Sequence, residues 1–293
     1  MLELAIKILG IMMPSILLAG IGVLWHRTGT EYPREFVTTL VLNLALPALV
    51  FYTLTTTTVA PDALATMGLA ALTVQLVMLS TSALILKAAG HNPRLCITFT
   101  IGNTGNLGLP LCMLAFGDVG LAYAITFFTI QSIFLFTVGD AIYAGNINVQ
   151  RMAKVPVIWA VAAALLTRFL DIPVPEILLN TTRILGQLVV PIMLITLGIA
   201  IASMQSGNLA TNLKWSAIRT ALAIAVGFGI AELFNLEGIA RGVLVIESVV
   251  PVAVFNYLLA FRNNMESSEI SGLILMTHLG ALLYLPVVLA FLV

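Results

Sequence analysis

Apolar runs of roughly twenty residues alternate with short polar interruptions along the whole chain. Ten such runs stand out, at approximately 4–25, 35–57, 63–87, 94–116, 120–144, 155–170, 177–203, 213–235, 240–261 and 270–292. A helix needs about 20 residues to cross a hydrocarbon core about 30 Å thick, and all but the sixth run are long enough. The interruptions read HRTGTEYPRE, APD, KAAGHNPR, GDVG, GNINVQRMAKVP, DIPVPE, SGNLATNLK, NLEG and RNNMESSE, and none is long enough to be a soluble domain. Period-two alternation of the β-barrel kind is absent, so the pattern predicts an all-α membrane protein with ten transmembrane helices. The opening stretch MLELAIKILGIMMPSILLAGIGVLWHR is read as the first spanning helix rather than a signal peptide. Its apolar run is too long, Glu3 lies near Lys7, and no clean A-x-A site follows.

Composition agrees with this pattern. Hydrophobic residues make up 60% of the chain, charged residues 9%, and the mean hydropathy is +1.09. Soluble domains carry about a quarter charged residues. The bilayer is therefore an expected partner, and the net charge of zero offers nothing to a nucleic acid. Cys96 and Cys112 fall in one run, too far apart along a helix to pair, and read as small buried hydrophobes. No cofactor motif is found.

Lys and Arg placement suggests an orientation. With the N-terminus outside, the inner loops and helix ends hold Arg27, Arg34, Lys87, Arg94, Arg151, Lys154, Lys214, Arg219 and Arg262, against Lys7, Arg168, Arg183 and Arg241 outside. Nine against four predicts both termini outside a cell (inner) membrane.

Four runs carry a proline with a polar residue four positions earlier: NLALP (Asn43, Pro47), NLGLP (Asn106, Pro110), QLVVP (Gln187, Pro191) and ESVVP (Glu247, Pro251). The first and third motifs lie 144 residues apart, the second and fourth 141. This predicts a duplicated five-helix unit, residues 1–150 and 151–293. Five is odd, so the halves would be inverted in the membrane, an arrangement common in transporters. Proline removes the helix bond to the carbonyl four residues back, leaving a polar spot that protein, water or ligand must satisfy.

Broken helices at runs four and nine would aim the N-termini of their second halves at mid-membrane, where an anion could bind. Carbonyls at the ends of the first halves would suit a cation. In GNTGNLGLP (102–110), Gly102, Gly105 and Gly108 recur every three residues and could serve close packing, but Asn103, Thr104 and Asn106 point to a binding site. Glu247 is the key ionisable residue, able to hold sodium or a proton, or to pair with Arg241. Gln131 and Asn256 join Asn103, Thr104 and Asn106 as candidate substrate-binding residues. Asn106 and Glu247 are the candidates for a coupling ion, with Glu247 as the sodium ligand. Asp140, Gln75 and His278 are weaker candidates, His278 favoured as an interhelical hydrogen-bonder. Thr55 to Thr58 are expected to cap run two, and Gly227 and Gly229 to serve close packing.

GNTGNLGLPL together with PVAVFNYLLA resembles the auxin efflux carrier family, which includes plant PIN-type carriers and bacterial permeases of malate, malonate and similar acids. The resemblance covers essentially the whole chain. It implies crossing broken helices with Pro110 and Pro251 at the crossing, with Gly108 in the same motif, and Asn103 holding the substrate carboxylate. It also implies a transport domain of helices 3–5 and 8–10, a scaffold of helices 1, 2, 6 and 7, an elevator motion and often a homodimer. The short GNINVQRMAKVP replaces the long cytosolic loop of many plant members, which implies a prokaryotic member. Glu247 stands where plant carriers tend to have an amide. The wider fold is similar to bile-acid sodium symporters, which use a glutamate on the corresponding broken helix for sodium.

The resulting expectation is a secondary transporter of a small organic anion, coupled to sodium or protons. An uncoupled uniporter or channel is the alternative. An intramembrane enzyme is disfavoured because HExxH, GxSG with a partnered histidine and paired intramembrane carboxylates are all missing.

Overall fold

The computed structural model describes residues 2–139, 141–142, 155–204, 208–257 and 267–293. Asp140 and the stretches containing Arg151, Lys154 and Arg262 lie outside the described residues. The elements are α1 (Leu2–Arg27), α2 (Arg34–Thr56), α3 (Pro61–Ala88), α4 (Cys96–Thr100), α5 (104–116) and α6 (118–139), then α7 (Pro156–Phe169), α8 (Glu176–Ala202), α9 (Leu209–Leu233), α10 (Gly238–Val249) and α11 (Ser267–Ala290). Helix resumes at residues 255–257. The described residues are helical apart from turns and one isolated β-bridge. Among the described residues, seven helices are long and apolar enough to cross a membrane.

Ten expected runs become seven long helices for local reasons. Run six is α7, only 14 residues. Run nine is cut after Val249. Runs four and five join through Gly117, whose φ of 63° and ψ of −152° reverse the chain. The reversal brings Gly120 so close to Cys112 that a Cβ on Gly120 would lie 2.8 Å from the Cys112 carbonyl oxygen. Eight residues of straight helix would instead span about 12 Å.

The polar interruptions act as helix stops. After α3, Gly90 (φ 73°) lets its N–H reach Lys87 O at 3.1 Å and the His91 N–H reach Leu86 O at 2.9 Å. This is a Schellman ending, which needs a left-handed residue. Asn235 (φ 49°) ends α9 the same way, bonding Glu232 O at 3.0 Å while Leu236 bonds Ala231 O at 2.9 Å. Helix α9 starts earlier than its apolar run because Asn208 caps it, accepting from the Thr211 N–H at 3.2 Å.

Proline has two outcomes here. Pro47 and Pro110 each follow a π-helical turn, Val41–Ala45 and Thr104–Gly108. In those turns Leu46 N–H bonds Val41 O, and Leu109 N–H bonds Thr104 O, five residues back. The wider turn relieves the proline's clash with the preceding carbonyl, and the helix continues. Pro191 instead follows a short turn at Gln187 and Leu188 within α8. The interruption in run four falls at residues 101–103, ahead of Pro110 rather than at it. Only the interruption in run nine contains its proline, Pro251.

Two packing groups emerge. In one, α1 lies along the second half of α8, and α2 packs on α7 and the first half of α8. In the other, α9 packs on α3, α10 and α11, while the α5–α6 hairpin packs on α3 and α10. Contacts between the groups run chiefly through α1, and through the second half of α8 against the π-turn of α5. Arginines tie the first group together. Arg34 at the start of α2 donates to Ile199 O (3.2 Å) and Ser203 Oγ (3.0 Å) at the end of α8. Arg168 at the end of α7 donates to Leu54 O (3.4 Å) in the last turn of α2 and to Val59 O (2.8 Å) just beyond it. Lys7 donates to Val293 O at 2.9 Å, so the two chain ends lie together.

The surface is apolar and the polar residues are inside. Leu17, Phe36, Leu84, Phe169 and Leu283 are exposed, while Gln75, Arg219, Glu247 and Asn256 are buried. That inversion suits a chain whose outer solvent is lipid.

Gly22 and Gly198 set the closest helix approach. A Cβ on Gly198 would lie 2.8 Å from the Ala19 carbonyl carbon, and one on Gly22 would lie 2.9 Å from that of Ile195. Both obstacles are backbone, which cannot rotate aside. Gly198→Val is expected to cost at least about 2 kcal/mol through forced separation of α1 and α8. Gly10→Val, at a position with open space around it, is the control. Unfolding of the two variants in detergent tests this; equal stability would remove the close-packing account.

Candidate functional site at the paired helix interruptions

The two interruptions meet. Ile101 is extended after α4, and Val250 is extended after α10 because a residue before proline avoids helix. Gly102 and Val252 form an antiparallel bridge. The Asn103 N–H donates to Pro251 O at 2.6 Å and the Ala253 N–H to Ile101 O at 3.0 Å. In such a pair Gly102 and Val252 turn their own peptide groups outward. The Gln131 side chain of α6 meets Gly102, donating from Nε2 to Gly102 O (2.8 Å) and accepting from Gly102 N–H at Oε1 (3.3 Å). Thr277 of α11 meets Val252, accepting from its N–H at 3.2 Å.

Side chains extend this pairing into a buried network. Gln131 Nε2 also donates to Thr104 Oγ1 (2.7 Å), and Gln75 Nε2 of α3 donates to Gln131 Oε1 (3.3 Å). Asn256 Nδ2 donates to Ile101 O at 3.2 Å. Asn103 Nδ2 lies 3.0 Å from His278 Nε2, and His278 Nδ1 lies 2.8 Å from Ile274 O. A carbonyl only accepts, so Nδ1 carries the proton and Nε2 accepts from Asn103. Asn103, Thr104, Gln131 and Asn256 therefore share one network. Asn106 is half-buried and outside it.

Arg219 lies in the middle of α9, fully buried. Its Nε donates to Phe99 O (3.2 Å), and its Nη1 donates to Val249 O (3.3 Å) and Val250 O (2.6 Å). It thus bridges the C-terminal ends of α4 and α10. Arg219 is not the inner helix-end charge expected from the sequence: the Asn208 cap moves the helix start back to Leu209 and leaves Arg219 in the interior. Without it the basic residues divide eight against four.

Glu247 is buried on α10 against α5. Its Oε1 accepts from the Cys112 thiol at 3.7 Å, and its Oε2 has no partner. Gly108 makes room for it, since a Cβ there would sit 2.7 Å from the carboxyl carbon. Gly108 thus serves a close approach, not an interruption. Arg241 pairs with Glu232 at 2.7 Å, so it is not the partner of Glu247. Among the described residues no group of three or more His, Cys, Asp and Glu could hold a metal ion.

Sequence reasoning missed Arg219 and Thr277 and ranked Gln75 low. A charged residue within an apolar run is itself a functional signal, so Arg219 was findable. Thr277 had no signal, because one threonine in an apolar run resembles any other. Gly227 does pack closely, a Cβ there reaching 3.0 Å from Ser248 Cβ, whereas Gly229 has open space.

The Gly108–Glu247 contact makes a measurable coupling. Gly108→Ala should destabilise the protein by about 1–3 kcal/mol through overpacking. In a Glu247→Ala background the same change should cost less than about 0.5 kcal/mol, because the carboxyl is gone. A double-mutant cycle on detergent unfolding measures this, and additive effects would refute the contact.

The chain matches the membrane transport protein family over residues 8–147 and 145–289. It is 27% identical over 204 residues to an uncharacterized transporter of Methanocaldococcus jannaschii; the aligned region spans 64% of this chain and 65% of that protein's length. It is 24% identical over 207 residues to an uncharacterized transporter of Methanothermobacter thermautotrophicus, spanning 68% of this chain and 67% of that protein. With both halves matched, the chain belongs to the membrane transport protein family, that of the PIN-type auxin efflux carriers.

Proposed function

We propose that this protein is a secondary carrier of a small organic anion, working by alternating access around the paired interruptions. The observation that carries this reading is the pairing of Gly102 with Val252, with helix resuming just beyond each interruption, at Thr104 and at residue 255. A helix N-terminus carries partial positive charge and free N–H groups, which suit a carboxylate; the start at Thr104 offers these, whereas beyond the other interruption the Asn256 and Tyr257 N–H groups bond Ala253 O and Val254 O. Asn103 and Asn256 stand beside these starts, and the buried, unpartnered Asn256 Oδ1 and Gln75 Oε1 are acceptors that would take a donor such as water or a substrate hydroxyl, not the carboxylate itself. Buried polar atoms of that kind are rare and mark places where a ligand or a rearrangement completes the bonding.

One feature supports an inverted repeat. Gln131 on α6 and Thr277 on α11 do the same job on opposite edges of the pairing. The two packing groups suit an elevator motion. The group of α1, α2, α7 and α8 corresponds to a scaffold that would also form the dimer. The other group, which holds every residue of the paired network, corresponds to the moving part. Glu247 is the candidate for the coupling ion. Its neighbours Cys112 and Gly108 offer a thiol and a bare Cα rather than the oxygen ligands a hard cation takes, which favours a proton over sodium.

Uptake of labelled malate, malonate, acetate and indole-3-acetate into proteoliposomes tests the reading. Asn103→Ala and Glu247→Gln are each expected to lower uptake of the transported acid at least about tenfold while both variants stay folded, which corresponds to about 1.4 kcal/mol. Full uptake by both variants would sink the site assignment, and single-channel currents would replace the carrier with a pore.

A further inference from the structure

We infer that Arg219 is a built-in cation occupying the place a coupling sodium ion would take at the paired helix ends, so that the protein neither needs nor binds sodium there. Two helices, α4 and α10, end facing the same spot. Each helix C-terminus carries up to about half a negative elementary charge, and together they present at most about one. Where a helix is broken inside a membrane, such carbonyl ends can coordinate a sodium ion or a proton. Here the oxygens of Phe99, Val249 and Val250 all accept from Arg219.

The guanidinium reaches both helix ends through Nε and Nη1, while Nη2 is buried without a hydrogen-bond partner. Tyr284 of α11 adds a hydroxyl donor to Val249 O at 2.8 Å. No carboxylate forms a salt bridge with Arg219 among the described residues; Glu247 is engaged with Cys112. The charge is thus held by carbonyl dipoles alone, as a bound metal cation would be. A second cation at the same oxygens would meet a like charge in a medium of low dielectric, where repulsion is strong.

The inference rests on the carrier reading only where transport is measured. Thermal unfolding of the purified full chain, in sodium chloride and in choline chloride of equal ionic strength, needs no substrate. The wild-type melting temperature is expected to be the same in both salts. Arg219→Ala should melt roughly 10 °C lower and regain part of that loss in sodium or in dilute guanidinium but not in choline. Arg219→Lys, which keeps the charge, should fall less than the alanine variant and gain nothing from sodium. If the alanine variant does not fold, the wild-type and lysine measurements decide the matter. Uptake of the transported acid should be unchanged when choline replaces sodium. A wild-type protein stabilised by sodium over choline, or uptake that requires sodium, overturns the inference. Absence of uptake for every acid tested would count against the carrier reading and leave the unfolding comparison to stand.

Discussion

A peptide N–H or C=O left unbonded in hydrocarbon costs several kcal/mol, and the pairing of Gly102 with Val252 is how this chain interrupts two helices without that loss. Each interruption supplies the other with bonds, through Asn103 to Pro251 and Ala253 to Ile101. The outward groups are then met by Gln131 and Thr277. Neither interruption would be tolerable alone. The positions of α6 and α11 follow from that, since each must bring one polar side chain to an edge of the pairing.

The same constraint explains why the buried polar residues cluster. Once the backbone is open inside the helix bundle, Thr104, Gln75, Asn256 and His278 find partners there that the rest of the interior does not offer. The two buried charges sit on different sides of this cluster in chemical terms. Arg219 is surrounded by carbonyl oxygens at helix ends, whereas Glu247 lies beside a thiol and a glycine. A charge embedded in oriented dipoles is held in place. A carboxyl with one weak partner is free to exchange whatever it carries, and that contrast underlies the division of roles proposed for them.

Much of the architecture was legible because lipid imposes a simple code. Apolar length marked the spanning runs, and the interruptions KAAGHNPR and NLEG marked where α3 and α9 stop, at Gly90 and Asn235. Glu247 stood out because a carboxylate in an apolar run is costly enough to need a reason. The glycines of GNTGNLGLP looked alike in sequence but differ in use: Gly102 belongs to the backbone pairing, Gly105 packs near Phe128, and Gly108 accommodates Glu247. Proline was the least faithful guide. The matched motifs suggested that Pro110 and Pro251 are partners, yet Pro110 follows a π-turn inside a continuing helix and Pro251 lies in an interruption.

Hydropathy and helix length alone require an all-helical membrane protein with polar breaks in two of its runs. How those breaks are satisfied, and by which residues, comes from the packing of the helices. Hydrogen bonds such as Arg219 to Phe99 or Asn103 to His278 join residues 120 and 175 positions apart. No local pattern encodes such a distance, since the partner of a buried polar group is set by which helices pack together.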